Sequence, residues 1–298
     1  MPTLQLAADI AFRERLMVLL ERRVAESGGF LSRAEMSRFD MGDGTHRRLL
    51  DSSKGIWNPR ELSATLSIVS SPDGPYDDRD VDGGLFRYDY RAGSTEGDNR
   101  KLRRAYELGV PIILLRKIAD GVYVPVFPVY VIGDDRDRHQ FIVAVDEALR
   151  LLPNPYNLNA IERRYAEQVT RRRLHQSEFR GMVVRAYEVR CAVCRLRHGD
   201  LLDAAHITAD GEETGLAIVS NGLSLCKLHH TAYDRDLLGI SRDYRIEINK
   251  DLLDEVDGPM LRHGLQEMHG LRISLPAIAR DRPDPERLAV RFEKFAAR

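Results

Sequence analysis

The sequence predicts an α+β protein of two domains: a curved, mixed β-sheet or partly closed barrel with flanking helices, followed by a small metal-stabilised unit. Three observations predict it. Short β-rich runs recur between residues 62 and 145, a Pro153-Asn154-Pro155 break opens a basic helical stretch, and all three cysteines fall within residues 191–226. A chain of 298 residues also exceeds the roughly 100–150 typical of one domain.

Residues 9–26 set Ile10, Leu16, Met17, Leu19, Leu20 and Val24 among Arg and Glu, the pattern of an amphipathic helix, and Gly28-Gly29 stops it. Ser32 followed three residues later by Glu35 reads as a capping box opening a second, short helix. From Leu62 the period changes to two, and β-rich runs follow at 84–91, 110–116, 122–132 and 140–145, with one helix inserted near 98–108. Gly and Pro punctuate these runs at Pro72, Gly74-Pro75, Gly83-Gly84, Gly109, Gly121, Pro125 and Pro128. The expected domains are 1–150, a basic helical linker at 151–180, and 181–298.

No run approaches the ~20 apolar residues of a membrane span, and Asp9 and Glu14 sit where a signal peptide needs an apolar stretch. A cytoplasmic protein is therefore expected. The net charge of −1 excludes a histone-like attraction to nucleic acid, yet it is a cancellation: residues 161–198 carry +6 and residues 71–98 carry −5. The +6 segment suits phosphate contacts, with Arg171, Arg172 and Arg173 as candidates.

Three cysteines cannot all pair within one chain, so a metal site is expected in place of a disulfide framework. Cys191-Ala-Val-Cys194 is followed, after 31 residues, by Cys226-Lys-Leu-His229. Two such clips supply the thiolate and imidazole donors of a tetrahedral structural zinc, whose four protein ligands leave no open catalytic position. Between and beyond the clips lie Asp203-Ala-Ala-His206-Ile207, Asn221-Gly-Leu and His229-His230-Thr-Ala-Tyr-Asp234. His230 and Asp234 are four residues apart, one face of a helix, within reach of a second cation.

These residues resemble the HNH endonuclease family, whose ββα-metal motif is named for its His, Asn and His. The likeness is to the branch, found in predicted modification-dependent restriction enzymes, that pairs a CxxC…CxxH zinc site with an Ala-Ala-His-Ile strand. The resemblance spans roughly residues 176–296 and extends through Asp257-Gly258-Pro259, His269-Gly270 and Arg282-Pro283-Asp284-Pro285. It implies that His206 is the general base, Asn221 braces the motif, and His230 binds a catalytic Mg²⁺ or Mn²⁺. Many family members carry a carboxylate or His directly before the first His, where this chain has Ala205. Asp234 is then the first candidate for the second ligand and Asp203 the next.

The N-terminal stretch Pro75-Tyr76-Asp77-Asp78 … Tyr88-Asp89-Tyr90-Arg91 with Asp98-Asn99-Arg100 is similar, more loosely, to the SRA domain of the PUA-like superfold, which flips a modified cytosine out of duplex DNA. The resemblance implies a base pocket with Tyr76, Tyr88 and Tyr90 as aromatic faces and Asp77, Asp78 or Asn99 reading the polar edge. Two other readings stand beside it. Tyr88 and Tyr90 fit a strand's core face, and Asp78-x-Asp80-x-Asp82-Gly83 with Asp89 imitates a calcium loop, although its flanks read as strands. The whole implies a modification-dependent, type IV-like HNH restriction endonuclease acting on double-stranded DNA, 5-methylcytosine being one candidate mark, as a homodimer if both strands are cut. The alternatives are a nuclease that senses a phosphorothioate backbone or unmodified DNA, and an inactive zinc-bearing DNA-binding protein.

Overall fold

In the computed structural model, which describes residues 2–71, 84–91, 96–212 and 214–298, the curved sheet expected between residues 62 and 145 is the centre of the first of two units. That unit comprises Met1–Val24 and Phe30–Glu178; the second comprises Ala25–Gly29 and Phe179–Arg298. In chain order the first holds helix α1 (Pro2–Glu26, whose last two residues pass to the second unit), strand β1 (Leu31–Ser32), helix α2 (Arg33–Ser37) and strands β2 (Phe39–Asp40), β3 (His46–Arg47), β4 (Ile56–Trp57), β5 (Ser67–Ser70) and β6 (Phe86–Asp89). Helix α3 (Asp98–Leu108) and strands β7 (Ile112–Ala119), β8 (Val122–Asp135) and β9 (Gln140–Ala144) follow. The expected capping box is present: the Ser32 hydroxyl accepts from the Glu35 amide, and the Glu35 carboxylate accepts from the Ser32 amide at 2.9 Å.

The strands run in the order β4-β5-β7-β8-β9-β6, with β1 paired to β8. Pairing is antiparallel except between β5 and β7, which are separated in the chain by β6 and α3 and lie parallel. The 14 residues of β8 pair with β7 through their first half and with β9 through their second. Register shifts opposite Ile112/Leu114, Lys117/Ala119 and at Val131/Gly133 bend the strand between its two partners, so the sheet curls. Both faces are covered. Ile112 and Leu114 join a core with Phe86, Tyr88 and Leu102, while Ile113 and Leu115 join a second core with Leu16, Leu20 and Met36. A strand buried on both sides reads as an unbroken apolar run, which is the sequence Ile112–Leu115 shows. Arg13 is wholly buried and donates to Asp9 at 2.6 Å and to the carbonyls of Thr65, Pro111 and Ala64, so the acid at position 9 is a core partner.

Most of the stretch expected as a basic helical linker, 151–180, falls on helix α4 (Ala160–Ala186). Ala166 and Leu174 are fully buried in the first unit's core, and Thr170 Oγ1 donates to the Gly84 carbonyl at 2.8 Å. The helix docks there because Gly84 has no side chain: a Cβ would lie 2.8 Å from the Arg163 carbonyl. The division between units falls inside this helix, after Glu178.

In the second unit, strands β10 (Leu202–His206) and β11 (Gly222–Cys226) pair antiparallel with Leu202 opposite Cys226 and His206 opposite Gly222. Helix α5 (Lys227–Asp234) begins where β11 ends, completing a ββα unit. Strands β12 (Leu238–Ile240) and β13 (Ile246–Ile248), helices α6 (Lys250–Asp254) and α7 (Pro259–Gly264), and helix α8 (Pro285–Ala296) follow. Leu223, Leu225, Tyr233, Leu238, Ile246 and Leu288 share one core with Val183 and Val184. No helix among the described residues is long and apolar enough to cross a membrane.

Candidate functional site

The two cysteine clips close on each other because β10 and β11 bring the chain back. The Cys191 carbonyl accepts from the Arg195 amide at 2.9 Å, and the Cys191 amide donates to Leu196 O at 3.0 Å. Arg195 takes a left-handed conformation (φ 64°) in this tight turn. The Ala192 amide then bonds Ser224 O at 2.7 Å, fixing the turn to β11. One donor atom from each of Cys191, Cys194, Cys226 and His229 lies within 4.8 Å of every other. His229 is 1 % exposed, and its Nε2 faces the Gly264 carbonyl at 2.7 Å while its Nδ1 faces Cys226 Sγ at 3.0 Å. Donation by Nε2–H to that carbonyl leaves the Nδ1 lone pair aimed at the sulfurs, the arrangement that orients a histidine ligand. The set fits a four-coordinate zinc ion.

Beside this cluster, His206 ends β10. Phe179 stacks on its ring at 3.9 Å between centroids and 18° between planes. Among the described residues neither ring nitrogen of His206 has a hydrogen bond, and Nε2 is buried. Burial pushes the imidazole below its ordinary pKa; the charge of Asp210 opposes this, His230 reinforces it, and Asp234 opposes it. His206 is therefore neutral near pH 7 and keeps one lone pair uncommitted.

Asn221 is wholly buried and clasps the loop that leaves His206. Its Oδ1 accepts from the Thr208 amide at 2.9 Å, and its Nδ2 donates to the carbonyls of Thr208 at 3.0 Å and Leu216 at 2.9 Å. The Asn221 carbonyl accepts from the Ile207 amide at 2.9 Å as well. Replacing Asn221 with Ala strips the side chain from an amide and two carbonyls, so about 2–4 kcal/mol of stability is lost. The checks are a lower denaturation midpoint and faster amide exchange over residues 207–216; unchanged exchange would remove the bracing assignment.

His230, on α5, lies between two carboxylates. Its Nε2 is 3.3 Å from Asp234 and its Nδ1 is 3.5 Å from Asp203. Asp203 also meets Lys227, and Arg180 at 3.5 Å. Burial opposes ionisation of Asp203, but hydrogen bonds with His230 and Lys227 and the charge of Arg180 outweigh it and hold the carboxyl at about 2. The hydrogen bond to Asp203 raises the His230 pKa above its ordinary value against the effect of burial. The two carboxylates approach opposite nitrogens of one ring, so the geometry separates roles that the sequence left joined.

Residues 191–241 match the HNH endonuclease family model. This stretch is an HNH endonuclease domain. The ββα unit, the zinc-type cluster and His206, Asn221 and His230 all fall inside it, whereas Phe179 and Arg180 lie upstream. No curated protein matches the chain. Among solved structures, the chain is similar to one described as "Modification dependent TagI restriction endonuclease", at 18 % identity over 90 % of this chain and 92 % of that one, TM-score 0.31. It is also similar to the SRA domain of SUVH5 in a complex with hemi-methylated CG DNA, at 21 % identity over 43 % of this chain and 89 % of that one, TM-score 0.28.

In the N-terminal unit the structure corrects several candidates. Tyr88 and Tyr90 are core residues, 0 % and 2 % exposed. Tyr88 donates to Gly55 O at 2.8 Å with the Arg91 guanidinium over its ring at 4.0 Å, and Tyr90 packs on Phe141 and donates to Asp134. Neither ring has a free face for a base. Asn99 is buried and spends its amide on the backbone of Arg91, accepting at 3.1 Å and donating at 2.8 Å. Tyr76, Asp77 and Asp78, with the calcium-loop positions Asp80, Asp82 and Gly83, lie outside the described residues. Of the three arginines, Arg171 and Arg172 are exposed on α4, but Arg173 donates to the carbonyls of Val145 at 3.2 Å and Phe127 at 3.0 Å and is bound to its own unit. Sequence reasoning missed Phe179, Lys227 and Arg180. The available signal was Gly222: a Cβ there would lie 2.4 Å from Val183 Cγ2 and 2.9 Å from Phe179 Cζ, so the glycine marks a close approach to His206.

Proposed function

We propose that the protein is a divalent-metal-dependent endonuclease that hydrolyses DNA phosphodiesters and is directed to modified duplex by its N-terminal unit. The nuclease reading is carried by one observation: His206, whose Nε2 is buried without a hydrogen-bond partner among the described residues, lies within electrostatic reach of the His230–Asp234 pair inside an HNH domain. His206 takes a proton from water near pH 7, and the resulting hydroxide attacks phosphorus as the bond to the 3′ oxygen breaks. His230, through Nε2, and Asp234 are the residues that would hold Mg²⁺ or Mn²⁺, which when bound supplies positive charge to the phosphate and the leaving oxygen. Asp203, held by Lys227 and Arg180, fixes the His230 ring from the Nδ1 side, leaving Nε2 for the ion. The Cys191, Cys194, Cys226 and His229 cluster holds a structural Zn²⁺ and has no part in the chemistry.

The selection of modified duplex rests on the N-terminal sequence resemblance to SRA domains and on a curled sheet large enough to form a recognition unit independent of the nuclease. With Tyr88, Tyr90 and Asn99 committed to the core, Tyr76, Asp77 and Asp78 are the remaining candidates for reading a base. The test is digestion, with Mg²⁺ or Mn²⁺, of matched plasmids that are unmodified or carry 5-methylcytosine, 5-hydroxymethylcytosine, N6-methyladenine or phosphorothioate. Cutting of one modified plasmid in preference to the unmodified one is expected. Equal cutting of all five would overturn the sensor and keep the nuclease; no nicking of any, with either metal, would overturn both. Each HNH domain supplies one active site, so linear product in step with nicked circles indicates a homodimer on the DNA.

A further inference from the structure

A general base needs its ring held in one plane, and a base histidine is commonly held by a hydrogen bond on the nitrogen away from its substrate. His206 has none among the described residues, and its Nε2 is buried without a partner. What it has is an aromatic wall. Phe179 is 2 % exposed and lies nearly parallel to the imidazole at 3.9 Å, closer than most aromatic pairs, which have centroids about 4.5–7 Å apart. The wall is built deliberately on two elements. Phe179 and Val183 are one helical turn apart on α4, and both abut Gly222, the residue paired with His206 across β10 and β11. Any side chain at 222 would collide with both, so the glycine is what lets the phenyl ring reach the imidazole.

We propose that Phe179, outside the residues matched by the HNH family, is the positioning residue of His206, holding the imidazole plane by stacking where a hydrogen bond would otherwise do so. This rests on the reading of His206 as the base. The same ring excludes water from one face of the imidazole and so favours its neutral form. Among the described residues, the charged and titratable groups that act on His206 are Asp210, His230 and Asp234; the phenyl ring carries no net charge and acts by contact and desolvation.

The proposal predicts a split in the kinetics. Phe179→Leu fills the site with apolar volume but offers no plane, and kcat falls by about 10²-fold, the scale set by misplacement of a reacting group. KM for DNA and the affinity for Mn²⁺, measured by calorimetry on the zinc-loaded protein, stay as they were. In the metal-free, zinc-loaded protein the His206 ring protons, followed by NMR, titrate at a higher pH in Phe179→Leu than in the parent, and the acid limb of kcat moves up with them. A zinc content equal to the parent's and a cooperative unfolding transition in Phe179→Leu separate this from misfolding. A parent-like kcat and His206 titration in Phe179→Leu would overturn the positioning role. If His206→Ala retains cleavage, the base assignment falls instead, and the NMR titration still reports whether the phenyl ring governs the imidazole.

Discussion

His206→Ala lowers metal-dependent cleavage by about 10²–10⁴-fold against the parent, with zinc content unchanged and the second unit still folded. The direction follows from the site. His206 is half-buried at the end of β10 and makes no hydrogen bond among the described residues, so its removal leaves no polar partner stranded. What disappears is the proton acceptor. Because burial lowers its pKa, the imidazole is neutral through the ordinary histidine range and becomes charged only below it. The rate of the parent is therefore flat across neutral pH and falls on the acid side as His206 is protonated, at a pH below the ~6.5 of a free histidine. Steady-state nicking of supercoiled plasmid with saturating Mn²⁺ measures both. Retained nicking in the variant, or an acid limb above the ordinary histidine value, would remove His206 from the mechanism.

Removal of zinc unfolds the second unit. Cys226 closes β11 and caps α5, and His229 lies within α5, so the cluster ties together both strands and the helix that carries His230. Structural zinc of this kind contributes on the order of 10 kcal/mol to small folds, more than a typical domain can lose. A strong chelator, or Cys226→Ser, is expected to abolish cleavage, expose Tyr187 and Tyr233, which are buried in that core, and lower the ordered content of residues 179–298 in amide exchange. The first unit has two cores of its own and keeps its protection. Zn²⁺ restores the signal and Mg²⁺ alone does not. A folded, active protein with less than one zinc per chain would refute the structural assignment.

How much of this is legible in one dimension depends on the range of the interaction. The Ser32–Glu35 capping box, helix α3 and the strands from 67 to 144 are local patterns, and they fold as the periodicity indicates. The aromatic alternation at Tyr88 and Tyr90 is equally local but ambiguous, because a core face and a base-stacking face have the same period of two; only the closure of the curled sheet over them decides for the core. The stretch 151–180 is a similar case. Its charge suggests a basic helical linker, while Ala166, Thr170 and Leu174, spaced by four, pack it into the first unit through a contact with Gly84 that no local window contains.

The same contrast runs through the active region. The sequence by itself determined the Cys3His cluster, because two clips with two-residue gaps hold their donors at fixed spacing whatever the rest of the chain does. It also located His206, Asn221, His230 and the two carboxylates. Only the tertiary structure assigned those carboxylates to opposite nitrogens of His230 and brought Phe179 from 27 residues upstream onto His206. Ligand spacing is a property of the backbone over a few residues, whereas the plane and the charge state of an imidazole are set by whatever packs against it.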